Sequence, residues 1–215
     1  MLNCYVLSPS ILVFDAIAGK PSTELVDPLT FLAIQQHCTL SEDFIDIVPT
    51  ANSITLYLRD PKRREFWQNY ILEHYLKFEY QRANATVHHV PTRYGGAYGV
   101  DLTALSALLN LSVDEIITQH SSFEYIVSFM GFLPGFGYLT GLPPALHVPR
   151  KAVPSTKVPR GSVAIAEALS AIYPSASPGG WHVIGQTDLK LFEPTSPHPC
   201  LFKPGDVVRF EALND

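Results

Sequence analysis

Cysteine is scarce in this 215-residue sequence, and Cys4, Cys38 and Cys200 are odd in number and far apart, so neither a disulfide framework nor a Cys-x-x-Cys metal or redox pair is available. Basic residues are also few. Fifteen Lys and Arg against twenty Asp and Glu give a net charge of -5 and a pI near 5.9, which excludes the concentrated basic surface that phosphate backbones require. Lys62-Arg63-Arg64 is the only short basic run, and it reads as the solvated first turn of a helix. No apolar run is long enough to span a membrane. The apolar N-terminus has no basic residue before Lys20 and is punctuated by Ser8-Pro9-Ser10, unlike a signal peptide, so a cytoplasmic location is expected.

The common catalytic signatures are missing too. Without a Gly-x-x-x-x-Gly-Lys-Ser/Thr loop, no nucleotide triphosphate is cradled in the P-loop manner. Gly135-Phe136-Gly137 lacks the third glycine of a dinucleotide fingerprint, Thr140 standing in its place, and Pro134-Gly135 reads as a tight turn. His88-His89 has no accompanying ligand cluster, and adjacent strand residues point to opposite faces, so no metal site is expected. There is no Gly-x-Ser-x-Gly elbow, so Ser162 would need another base to act as a nucleophile.

What is present divides the chain in two. With 47% hydrophobic and 16% charged residues it has the composition of a packed globular protein. From Gly131 onward lie 9 of the 13 glycines and 12 of the 18 prolines, in 85 of the 215 residues. Helices tolerate neither residue in their interior, so this half predicts short strands and shaped loops. Earlier, 11–14, 44–48 and 54–58 read as strands, the last alternating Ile54, Leu56 and Leu58 on one face. Leu29, Leu32 and Ala33 recur at helical spacing, and Asp60-Pro61 supplies a cap and first-turn proline before Phe66, Trp67, Tyr70 and Ile71. With 86–90 as a further strand the order becomes β-α-β-β-α-β, a ferredoxin-like α+β domain over 1–90. A mainly β domain follows over 91–215, entered by a helix that Asp101 is placed to cap and a second opened by the capping box Ser112-Val113-Asp114-Glu115.

The most specific residues lie between Tyr94 and Thr187: Tyr94-Gly95-Gly96, Asp101-Leu102, His120-Ser121, Gly131-Phe132-Leu133-Pro134-Gly135-Phe136-Gly137-Tyr138, Pro149-Arg150, Gly161-Ser162-Val163, Ile172-Tyr173-Pro174 and Ser177-Pro178-Gly179-Gly180-Trp181. Together they resemble the KipI family, whose members are also called allophanate hydrolase subunit 1 or the B component of 5-oxoprolinase. The resemblance implies a cyclophilin-like β-barrel for the C-terminal domain. It also implies a role as component B of an ATP-dependent 5-oxoprolinase that opens 5-oxoproline to glutamate with A and C (KipA-like) components. ATP would be used by the complex, and no cofactor is expected in this chain. Two other roles open to the family are inhibition of a sensor histidine kinase and kinship with the carboxyltransferase region of urea carboxylase.

Opening a lactam calls for donors and a cation aimed at developing negative charge. The matching positions suggest His120 as acid/base or orienting group, Tyr138 and Ser162 as hydrogen-bond donors, Arg150 for a carboxylate or phosphorylated intermediate, and Tyr173 and Trp181 as walls. A core or helix-capping histidine is the competing account of His120, and core packing that of the three aromatics. The sequence departs from the family pattern where Ser155 replaces an arginine, Ala166-Glu167 an alanine-glycine pair, Ala168-Leu169-Ser170-Ala171 a Gln-Thr-Gly type segment and Gln186 an arginine. Arg160 is a neighbouring substitute for one lost charge.

Overall fold

A computed structural model describes residues 2–16, 28–82 and 85–213. The chain forms two compact units, Met1–Asn84 and Ala85–Asp215.

The first unit is a four-stranded antiparallel sheet with helices on one face. Strands β1 (Leu2–Ser8), β2 (Ile11–Ala16), β3 (Phe44–Pro49) and β4 (Ser53–Leu58) lie in the order β1-β2-β4-β3. Alternation along β2 and β4 sends Leu12, Phe14, Ile54, Leu56 and Leu58 into one core. Against it pack Phe31, Ile34 and Cys38 of α1 (Pro28–Thr39) and Trp67 and Ile71 of α2 (Arg64–His74). The Asp60 carboxylate accepts the Lys62 N–H at 2.9 Å and Pro61–Arg63 form a 3-10 turn, so the cap read from the sequence starts this helix by a tighter first turn. Arg63 and Trp67 both donate to Asp43 Oδ2, at 3.0 and 2.8 Å.

The expected β-α-β-β-α-β order requires correction. The segment assigned as its last strand, 86–90, belongs to the second unit, and the edge beside β2 is occupied by Leu2–Ser8. A strand's periodicity reports that one face is buried but not which sheet it joins.

The second unit is a closed barrel of seven strands. These are β5 (Val87–Tyr94), β6 (Glu124–Met130), β7 (Gly137–Thr140), β9 (Ser162–Ala166), β10 (Leu169–Ile172), β12 (His182–Gln186) and β13 (Val207–Ala212), running round as β10-β7-β6-β13-β5-β12-β9. Among the described residues only the β13–β5 pair is parallel. Strands β8 (Ser155–Val158) and β11 (Ser177–Gly179) form a separate ribbon. Every barrel strand contributes to one core, including Val90, Tyr125, Val127, Leu139, Val163, Ile172, Ile184, Val208 and Phe210, which therefore fills the interior. Helices α3 (Leu102–Leu109) and α4 (Val113–Ser121) add Leu102, Leu105 and Ile116 to it. The capping box at Ser112 is formed as read, while Asp101 makes no side-chain bond to the first turn of α3. Along β5, His88 turns to the buried Asp206 (2.8 Å) and His89 to the exposed Glu211 (2.6 Å), as alternation requires.

Candidate functional site

The wall made by β7, β10, β9 and β12 has two apolar faces. Val163, Ile165, Ile172 and Ile184 point into the barrel, whereas Ala164, Ala166, Ala171 and Val183 point outward to a second cluster with Phe136, Val158, Tyr173 and Trp181. Small alanines on the outer face leave room for large rings to lie on the wall. Phe136, Tyr138, Tyr173 and Trp181 meet there with centroids 4.9 to 6.0 Å apart, mostly edge to face, the arrangement that ring quadrupoles favour.

Arg150 lies on the loop after the Pro144–Leu146 turn, with its guanidinium carbon 6.0 Å from the Trp181 ring centroid, at the outer limit of cation–π contact. Its charge is felt by both tyrosines. Burial pushes the Tyr138 and Tyr173 hydroxyls above the usual phenol range, and the nearby guanidinium opposes that rise at each. The Trp181 backbone opposes the rise at Tyr173 as well. Both phenols stay protonated at neutral pH and can donate. Ser162 is buried at the start of β9 on the face of Ala164 and Ala166, and its carbonyl accepts the Tyr173 N–H at 2.9 Å. Four of the six residues singled out from the sequence, Arg150, Tyr138, Tyr173 and Trp181, thus share one outward face, and Ser162 adjoins it.

His120 does not. It is 0% exposed in the barrel interior, stacked at a tilt on Phe210 and Tyr125, with Nδ1 2.8 Å from the Tyr94 hydroxyl and Nε2 3.0 Å from Ser170 Oγ. Both ring nitrogens of the neutral imidazole are thus partnered by hydroxyls, and Ser170 Oγ also lies 3.4 Å from the Ala164 carbonyl. Desolvation pushes the imidazole pKa down to about 3. His120, expected as an acid/base or orienting group, thus sits as a neutral bridge in the barrel core, away from the Arg150 face. Ser170, read as part of a site departure, is its partner.

The other departures are also placed. Glu167 takes a left-handed conformation (φ 53) in the exposed β9–β10 turn, and its backbone pairs with Val148. Gln186 donates to the Arg160 carbonyl at 2.8 Å, and Arg160 itself reaches the Leu189 carbonyl, so it gives no second cation to the Arg150 face. Two contributors were not singled out as such. Phe132, on the β6–β7 loop, is 60% exposed at φ 65 and approaches Phe136 (5.3 Å) and Tyr173 (6.4 Å). Lys151 Nζ meets Asp101 at 2.9 and 3.2 Å and Ser155 Oγ at 2.7 Å. The Phe132 backbone conformation has no sequence signal, since phenylalanine rarely adopts it.

Residues 16–202, which include the closed barrel and the Arg150 face on its outer wall, match the model of the family "Carboxyltransferase domain, subdomain C and D", and this match places the chain in the carboxyltransferase class. Within that class the chain belongs to the family of 5-oxoprolinase B components. It is 36% identical over 217 residues to the B component of 5-oxoprolinase from Escherichia coli O157:H7, covering 97% of this chain and 94% of the relative. Among solved structures, a conserved uncharacterized protein of Pyrococcus horikoshii is 30% identical with a TM-score of 0.59, matching 99% of this chain and 98% of that one. Kluyveromyces lactis urea carboxylase shares the fold at a TM-score of 0.67 and 16% identity, with 99% of this chain lying on 22% of that one. No helix among the described residues is long and apolar enough to cross a membrane.

Proposed function

We propose that this chain is component B of an ATP-dependent 5-oxoprolinase, opening 5-oxoproline to glutamate with A and C components, and that its contribution is the Arg150 face. The observation that supports this most directly is the convergence of one cation and two protonated phenols beside an indole wall. 5-Oxoproline carries a carboxylate and a lactam carbonyl. Arg150 pairs with the carboxylate, or with a phosphorylated intermediate, because a planar guanidinium meets two oxygens at once. Tyr138 and Tyr173 donate to the carbonyl oxygen as charge develops on it, and Trp181 holds the flat ring. ATP is used by the complex.

The test is to purify the chain with its A and C components and follow ATP-dependent release of glutamate from 5-oxoproline. Arg150→Ala should lower turnover by roughly 10²-fold, the scale of losing one charge-stabilising donor. A stable, complete complex that releases no glutamate overturns the enzyme reading; undiminished turnover by Arg150→Ala removes Arg150 from the site.

A further inference from the structure

Arg150 lies between two anchored neighbours. On one side the Pro149 carbonyl accepts from His182 Nε2 at 3.0 Å, and on the other the Lys151 N–H donates to the Gly180 carbonyl at 2.8 Å. His182 and Gly180 flank Trp181, so the loop and the indole under the guanidinium are laced together at both ends.

The Lys151 side chain adds the third tie. Its three donors go to the two Asp101 oxygens and to Ser155 Oγ, which uses the ammonium fully. Asp101 Oδ2 also accepts the Val183 N–H at 2.8 Å, so the lysine is fastened through one carboxylate to β12, two residues beyond Trp181. Ser155 sits opposite Gly179 in the β8–β11 ribbon, and Gly179 abuts the Tyr173 hydroxyl.

Two costs mark this arrangement as more than a surface ion pair. The side chains of Lys151 and Asp101 are only 16% and 19% exposed, so both charges are largely desolvated, and such a pair does not by itself favour folding over an apolar replacement. Asp101 also stands at the N-cap of α3 without capping it, forgoing a local bond that stabilises a helix start. Both costs are consistent with fixing a geometry.

We infer that Lys151, held by Asp101 and Ser155, is the positioning residue that sets the Arg150 guanidinium over Trp181. This rests on Arg150 being the cation of the proposed site. A cation aimed at developing charge loses most of its effect if displaced by about 1 Å, a shift that costs on the order of 10²-fold in rate.

The experiment uses the complete complex and the isolated chain. Lys151→Met should lower kcat for glutamate release ten- to a hundredfold, Lys151→Arg should restore most of it, and Arg150→Ala/Lys151→Met should be no slower than Arg150→Ala alone, because Lys151 acts only through Arg150. Full turnover by Lys151→Met, or losses that multiply in the double variant, overturns the inference. A second readout is independent of activity. With Trp67→Phe leaving Trp181 as the sole indole of this chain's two, Lys151→Met should change Trp181 emission and quenching as Arg150→Ala does. An unchanged Trp181 signal overturns the positioning role even if Arg150 is catalytic. A matching change alongside normal Arg150→Ala turnover sinks the proposed site and leaves the positioning intact. If Lys151→Met does not fold, Ser155→Ala, which removes one of the three bonds, should give a smaller loss in the same direction, and no loss overturns the inference.

Discussion

The Tyr94 hydroxyl stands 2.8 Å from His120 Nδ1, and with Ser170 on Nε2 it holds a neutral imidazole inside a hydrocarbon core. Tyr94 ends β5 and His120 lies in the last turn of α4, so this contact ties the parallel-paired strand to the helix. Burial also pushes the Tyr94 hydroxyl well above the ordinary phenol range, which keeps it a donor.

The bridge makes stability pH-dependent in a defined window. The unfolded chain takes up a proton on His120 near pH 6.5 and the folded chain only near 3, so between those values the unfolded state binds more protons. Stability is complete above about pH 6.5 and falls as pH is lowered, by up to about 1.4 kcal/mol per unit from this residue alone. His120→Gln, which keeps one donor and one acceptor, should flatten the midpoint of thermal unfolding between pH 6.5 and 5, above the carboxylate range. An identical slope in wild type and variant would show that His120 is not the group responsible.

Gly179 should not tolerate a methyl group. A Cβ there would lie 2.2 Å from the Tyr173 hydroxyl oxygen and 3.0 Å from the ring carbon bearing it. Gly179→Ala is expected to cost about 1–3 kcal/mol, as overpacking typically does. Adding Tyr173→Phe should recover part of that loss by removing the nearer atom. Denaturant midpoints of the two single variants and the double variant check the coupling, and strictly additive losses would refute the contact.

Phe132 separates stability from turnover. Its left-handed backbone costs roughly 1–2 kcal/mol relative to glycine, and most of its ring is exposed. Phe132→Gly should therefore unfold at the same temperature or higher, yet lower glutamate release by the complex, because the ring edges toward Tyr173 over the proposed substrate face. A clear loss of thermal stability would mean that the ring is a core element.

Local chemistry was legible from the chain alone. The Ser112–Glu115 capping box, the Asp60-Pro61 helix start and the opposed directions of His88 and His89 depend on residues close in sequence, and so did the Gly/Pro-rich motifs that identify the family. Tertiary structure decided the rest. Residues 87–94 pair with the distant strand β13, which periodicity cannot announce, and the barrel wall sends Ser170 inward to His120 while its neighbour Ala171 faces Tyr173. Asp101 reads as a helix cap until the fold brings Lys151, fifty residues on, within 2.9 Å. Capping and alternation are short-range and act before the chain closes. Which side of the barrel a side chain occupies, and which charge it meets there, follows only from closure.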